Sequence, residues 1–188
     1  MGAGVIPFAL SDGRVHFLFQ RVFAGRKSGF LNDFGGGLGE NEDYRTAAMR
    51  EFIEETETMF FADDIGTAKR TPEAVQAQLP IIRALFDATF SAHPDWWCAR
   101  KSVDMARPKD WRSFFVHFDY QDVVEMNRAW ELDQGARFKK RRELVWVDGD
   151  ELLLIYARHP ERLWKRVRQL DGAEEKIQQI QQALLDGR

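Results

Sequence analysis

Three glutamates and an arginine crowd into six consecutive residues, Arg50-Glu51-Phe52-Ile53-Glu54-Glu55. On a helix, Arg50, Glu51, Glu54 and Glu55 fall within an arc of roughly 140°. Like charges at i, i+3 and i, i+4 repel and weaken a helix, and Arg50 is the only cation beside them in the chain. The crowding becomes favourable when a hard divalent cation such as Mg²⁺ or Mn²⁺ sits among the carboxylate oxygens. The plainer alternative is a solvated acidic face, since such faces are common. Ala47 and Thr58 share the arc and are small enough to leave the carboxylates accessible. Upstream, Gly35, Gly36 and Gly37 permit close backbone approach at a helix start, as contact with a phosphate requires.

The elements that must position these residues can be read from periodicity. Asp43 is an N-cap candidate for a helix running to about Thr58 or a little beyond. Met49, Phe52, Ile53, Thr56 and Phe60 form its apolar stripe. Before it, residues 5–10 and 15–19 read as strands joined at Asp12-Gly13, a hairpin signal. After it, residues 72–92 read as a helix that Pro80 starts or kinks. Residues 94–109 read as a long loop carrying Trp96, Trp97 and Cys98. Residues 114–120 and 143–147 are strand-like, and residues 150–157 and 161–185 helical. Strands interleaved with helices imply an α+β or α/β sandwich.

Composition narrows the partners. The chain has 188 residues, 44% hydrophobic and 30% charged, with a net charge of −3. That length suits one domain. The balanced charge argues against an extended nucleic-acid or membrane-binding surface. An anionic substrate would be met locally, by bound cations and a few Arg or Lys residues. Cys98 is the only cysteine, so no intramolecular disulfide forms. Residues 1–10 lack the basic region and apolar run of a signal peptide, and no apolar run reaches membrane-spanning length. A cytoplasmic protein is expected. His16, His93, His117 and His159 are scattered without ligand spacing.

Taken with their flanks, these residues resemble the Nudix box. Gly36, five residues, Glu42, seven residues and then Arg50-Glu51-Phe52-Ile53-Glu54-Glu55 match the pattern G-x5-E-x7-R-E-U-x-E-E-x-G-U, where U is a bulky apolar residue. The match fails at its last two positions, where Glu57 replaces Gly and Thr58 replaces U. The resemblance implies one Nudix domain over residues 1–188, a mixed sheet between helices with a loop–helix–loop motif. Residues 62–109 would be an atypical insertion and residues 160–187 a helical C-terminal segment, packed on its own sheet or on a second subunit as a homodimer.

The resemblance also implies an activity: hydrolysis of a pyrophosphate in a nucleoside diphosphate linked to another moiety, with Mg²⁺ or Mn²⁺. Glu51, Glu54 and Glu55 would be the metal ligands. Arg50 would pair with Glu54 or Glu42 and hold the carboxylates, and Glu42 would support the loop. Glu143, before the strand at 144–147, would be a further ligand or general base, with Glu131 and Asp133 as competitors. Arg21, Arg26 and Lys27 would contact substrate phosphates, along with the glycine run. Two alternatives share the fold. One is a nucleotide-binding module without turnover, suggested by Glu57 and Thr58. The other is an isopentenyl diphosphate isomerase, which needs a cysteine upstream of the box, where there is none. Glutamate disfavours the left-handed conformation of the missing glycine, so the helix is expected to continue through Glu57. Diadenosine polyphosphates, ADP-sugars, capped RNA ends and nucleoside triphosphates all stay open as substrates.

Overall fold

The computed structural model describes residues 1–100, 110–138 and 140–187. The chain opens with β1 (Gly2–Ser11), β2 (Arg14–Val22) and β3 (Phe34–Gly37), followed by helix α1 (Tyr44–Glu55). Helix α2 (Pro72–Ala92), strands β4 (Trp97–Ala99) and β5 (Trp111–His117), and helix α3 (Val124–Leu132) come next. Strand β6 (Arg142–Asp148) leads into α4 (Gly149–Arg158), α5 (Lys165–Arg168) and α6 (Ala173–Asp186).

The hairpin forms as expected. Ser11 pairs with Arg14 across Asp12 and Gly13, whose φ angles of 49° and 78° are those of a type I′ turn. The sheet runs β4-β5-β1-β2-β6, and β3 pairs with the first half of β1. β1 is antiparallel to β2 and β3 but parallel to β5, so the sheet is mixed. Ala3, Val5, Ile6, Phe8 and Ala9 are all buried. A strand buried at consecutive positions is covered on both faces. α1 packs on β1 and β3 and α2 on α1 and β5, while α4 and α6 pack on one another and on β2. Phe52 of α1 anchors the core, with ring centroids 4.8 Å from Phe34 and 5.1 Å from both Phe60 and Phe118. Much of the aromatic content is therefore core, and Trp96 is buried against Phe8.

Several expectations need correction. Helix α1 stops at Glu55, and Glu57 takes a φ of 53°. The Glu57 N–H donates to the Glu54 carbonyl at 3.1 Å and the Thr58 N–H to the Ile53 carbonyl at 2.9 Å. That pair of bonds is a Schellman cap; satisfying the last carbonyls outweighs the backbone preference of glutamate. Residues 94–109 are not all loop, because Trp97–Ala99 pairs with β5; residues 101–109 of that stretch lie outside the described residues. The helix expected over 161–185 is instead a 3-10 turn at Pro160–Arg162, then α5 and α6, divided at Gly172 with φ 68°. α3 was not anticipated. α2 runs through Pro80 as one helix, with the Thr71 hydroxyl accepting from the Ala74 N–H at its start. Among the described residues no helix is long and apolar enough to cross a membrane.

Candidate active site

Asp43 caps α1 by accepting from the Thr46 N–H at 2.7 Å. This fixes where the helix starts and so which residues face the glycine strand β3. Burying Ala47, Ala48, Met49, Phe52 and Ile53 against β1 and β3 leaves Arg50, Glu51, Glu54 and Glu55 along the rim.

Arg50 organises one end. Its Nε and Nη2 both reach Glu42 at 2.9 Å, a two-pronged pair, and Nη2 also donates to the Gly37 carbonyl at 3.0 Å. Its Nη1 donates to Glu51 at 2.8 Å and, more distantly, to Glu54 at 3.4 Å. Glu42 also accepts from the Gly39 N–H at 2.7 Å. Burial pushes the Glu42 pKa up, but the Arg50 and Gly39 bonds outweigh it and the net shift is downward. Arg50 is correspondingly held protonated, mainly by Glu42.

Glu51 is under the opposite pressure. Burial first, and then the like charges of Glu55 and Glu54, raise its pKa despite the Arg50 bond. Its carboxylate lies directly against Gly36, where a Cβ would sit 2.2 Å from Oε1. Gly36 therefore leaves the room that the Glu51 carboxylate occupies.

Glu54 and Glu55 meet other cations. Arg70, in the stretch before α2, donates to Glu54 at 2.6 Å. Glu55 accepts from the Gly35 N–H at 2.7 Å and from Arg142 Nη1 at 3.3 Å, and the Gln20 amide also donates to it. Arg142 in turn donates to Gln20. Beneath β3, Asp33 is fully buried, taking Arg166 Nε at 2.5 Å and the Ser113 hydroxyl at 2.8 Å. Arg166 Nη2 reaches back to the Gly35 carbonyl at 2.8 Å. A cavity of about 460 Å³ opens past the end of α1, lined by Glu57, Lys69, Arg70, Arg137 and Phe138 among others.

The structure thus brings Glu42, Arg50, Glu51, Glu54 and Glu55 together with Gly35, Gly36 and Gly37. It does not bring Glu143 or Arg21 to them. Arg21 and Glu143 are cross-strand partners and pair with each other at 3.3 Å. Strand alternation puts them on the face opposite Gln20 and Arg142, the residues that touch Glu55. The Gly35 N–H, expected to face substrate, is taken by Glu55. Gln20, Asp33, Arg142 and Arg166 escaped the sequence reading. For Arg142 a signal exists, since it alternates with Glu143 in the strand, but the run of cations at 139–142 conceals which one turns inward. Cys98 is buried and its thiol is pushed up to about 12 by burial, which suits no reactive cysteine chemistry.

The carboxylates fit a hard divalent cation in kind: oxygen donors one turn apart, with burial and like charges raising the Glu51 pKa despite Arg50. As they stand they do not converge. Among the described residues no group of three acidic, histidine or cysteine side chains is placed to hold a metal ion, because each carboxylate is turned onto a cation or an N–H.

No protein-family model matches the chain. A 62-residue stretch is 42% identical to an uncharacterized protein, L534, of Acanthamoeba polyphaga mimivirus, covering 31% of this chain and only 20% of that protein. Among solved structures, the chain is similar to a C. elegans Ap4A hydrolase in a binary complex, at 14% identity and a TM-score of 0.49 over 100% of both chains. It is also similar to RenU, a Nudix hydrolase from M. smegmatis, at 13% identity and a TM-score of 0.41, covering 98% of this chain and 86% of that one. A third likeness is to Shewanella oneidensis NrtR complexed with a 27mer DNA, at 10% identity and a TM-score of 0.45, covering 96% of this chain and 61% of that one. The chain therefore resembles Nudix proteins in its box and is similar to solved Nudix structures; at these scores, the box and its geometry carry the functional argument.

Proposed function

We propose that this chain is a pyrophosphohydrolase of the Nudix kind, cleaving a pyrophosphate bond in a nucleoside diphosphate linked to another moiety. The observation that supports it best is the placing of Glu51 against Gly36 and of Glu55 on the Gly35 N–H, with Arg50 clamped between Glu42, Glu51 and the Gly37 carbonyl and reaching Glu54. Glu51, Glu54 and Glu55 would hold Mg²⁺ or Mn²⁺, which when bound neutralises phosphate charge and makes water a stronger nucleophile.

The protein's own contribution is placement. Arg50 fixes Glu51 relative to Glu42, and the Gly35 N–H, Gln20 and Arg142 fix the Glu55 carboxylate. With Glu143 on the far face, a box carboxylate, Glu131 or Asp133 would take the proton released by the attacking water. Burial and the like charges of Glu55 and Glu54 raise the Glu51 proton affinity, a pressure that a cation held there would relieve. A cytoplasmic setting is consistent with the lone buried thiol.

A hydrolysis screen tests the proposal. Diadenosine polyphosphates, ADP-sugars, capped RNA and nucleoside triphosphates are incubated with Mg²⁺ or Mn²⁺, with Glu55→Gln as control. Metal-dependent nucleotide release from at least one class, lowered by at least about a hundredfold in Glu55→Gln, is expected. Unchanged turnover in that variant would refute the role given to Glu55.

A second reading has one observation in its favour. Arg70 already occupies Glu54 and Arg142 already contacts Glu55, as in a nucleotide-binding module that no longer turns over. Nucleotide binding without metal-dependent hydrolysis in the same screen would select it.

A further inference from the structure

The cavity of about 460 Å³ past the end of α1 is walled by two stretches of chain. Lys69 and Arg70 come from the stretch between α1 and α2, and Arg137 and Phe138 from the stretch before β6. Glu57 is the one acid among the described residues that line it. Three cations against one carboxylate make the wall cationic, although the chain as a whole carries a charge of −3.

Direct contacts tie the two stretches together. Arg137 Nε and Nη2 donate to the Ala68 carbonyl at 3.1 and 2.5 Å, and Nη2 also donates to the Ile65 carbonyl. The guanidinium lies over the buried Phe138 ring, 4.7 Å from its centroid. The backbone beneath it is held by the Asp133 carboxylate, which accepts from the Gly135, Arg137 and Phe138 N–H groups. Carbonyl oxygens occupy donors without neutralising the charge. Among the described residues no carboxylate pairs with the Arg137 guanidinium, and its Nη1 makes no hydrogen bond. The Lys69 ammonium has neither a hydrogen bond nor an ion pair among them, although it also borders a neighbouring cavity with Asp63 and Asp64.

Arg70 joins the cavity to the box, since it lines the cavity and donates to Glu54 Oε2 at 2.6 Å. A group bound there is one side chain away from the carboxylates proposed to hold the metal. Guanidinium and ammonium groups are donors only, and they suit an anion with several acceptor oxygens, as a phosphoryl group has. A nucleotide brings such a group when its diphosphate is extended by another phosphate, and none when the diphosphate ends in a neutral sugar. The volume lies within the range of small-molecule sites.

We propose that the Lys69–Arg70–Arg137 cavity binds a phosphoryl group beyond the pyrophosphate that the box takes, so that the substrate is a nucleoside tri- or polyphosphate rather than a nucleoside diphosphate sugar. This deepens the pyrophosphohydrolase reading and rests on it for the position of the scissile bond.

The test titrates the full chain calorimetrically with ATP and with ADP-ribose, both without metal. The two probes share adenosine diphosphate and differ in the third group, a phosphoryl against an uncharged ribose. Wild type should bind ATP about tenfold more tightly, as one charge-assisted contact gives. Lys69→Met should lose most of that preference by weakening ATP alone, and Lys69→Arg should keep it. Lys165→Met, which removes an exposed lysine outside the cavity, should also keep it; loss there would reduce the effect to net charge and overturn the site. Equal affinity for the two probes in wild type overturns it as well, and so does an unchanged preference in Lys69→Met. Lys69 is exposed, so Lys69→Met should melt with wild type; a lower melting temperature would make the lysine structural and overturn the site. The two proposals fail separately. If no nucleotide class is hydrolysed with metal but Lys69→Met loses the preference, the cavity stands without the hydrolase. If nucleotides are hydrolysed and Lys69→Met keeps the preference, the hydrolase stands without the cavity.

Discussion

Glu57 holds a left-handed backbone at φ 53°, and Thr58 follows it at 61°. Both are buried, and both help close the end of α1. The left-handed region is unfavourable for any residue with a Cβ, so the two simplest truncations of Glu57 should differ. Glu57→Gly and Glu57→Ala remove the same side-chain contacts and leave different backbones. Glycine should be the more stable by about 1 kcal/mol, its left-handed freedom outweighing its larger unfolded-state entropy. Urea denaturation of the two variants measures the difference, and equal midpoints would show that the cap carries no strain. The same residue marks a limit of reading a sequence. Propensity states what glutamate prefers in isolation, while the structure satisfies the Glu54 and Ile53 carbonyls at that preference's expense. Glu143 shows a second limit. Its spacing from the strand was legible, but a strand turns successive side chains to opposite faces, and Arg142 rather than Glu143 contacts Glu55.

At the scale of elements, what matters is how closely β3 approaches α1. The box spacing made the helix, its Asp43 cap and the Arg50–Glu42 pairing legible, because all three are local in the chain. The approach itself is tertiary, and so is the loss of the expected helix over 161–185 to three shorter pieces around Gly172. Gly36→Ala tests the approach directly. Its Cβ would lie 2.2 Å from Glu51 Oε1 and 2.4 Å from Cδ, so the carboxylate must move while β3 and α1 keep their pairing. Displacing one proposed ligand should weaken Mn²⁺ binding by about ten- to a hundredfold, the range seen when the support of a ligand is disturbed. Titration of free Mn²⁺ by electron paramagnetic resonance reads this without reference to turnover. Gly37→Ala is the matched control, since a Cβ there meets nothing within 4 Å. Equal affinities in the two variants would mean that Glu51 is not held by Gly36.

At the scale of the molecule, the C-terminal segment is part of the site's foundation. Arg166 of α5 is 133 residues from Asp33 in sequence, and no periodicity or motif could have joined them. In the fold the pair lies beneath β3, and Arg166 also takes the Gly35 carbonyl at 2.8 Å and stacks over Trp111 at 4.0 Å. Asp33 is fully buried and Arg166 is 9% exposed, so either charge alone would be left in the interior without its partner. Removing one member of such a pair typically costs about 3–5 kcal/mol, whereas replacing both costs far less. Arg166→Met and Asp33→Asn should each destabilise by that order, and the double variant should lose less than the sum of the two. A double-mutant cycle by chemical denaturation gives the coupling. Strict additivity would mean that the contact contributes nothing beyond packing. Coupling would mean instead that the strand carrying Gly35 and Gly36 is positioned from the far end of the chain. Changes in α5 would then reach the Glu51 and Glu55 carboxylates through the backbone they rest on.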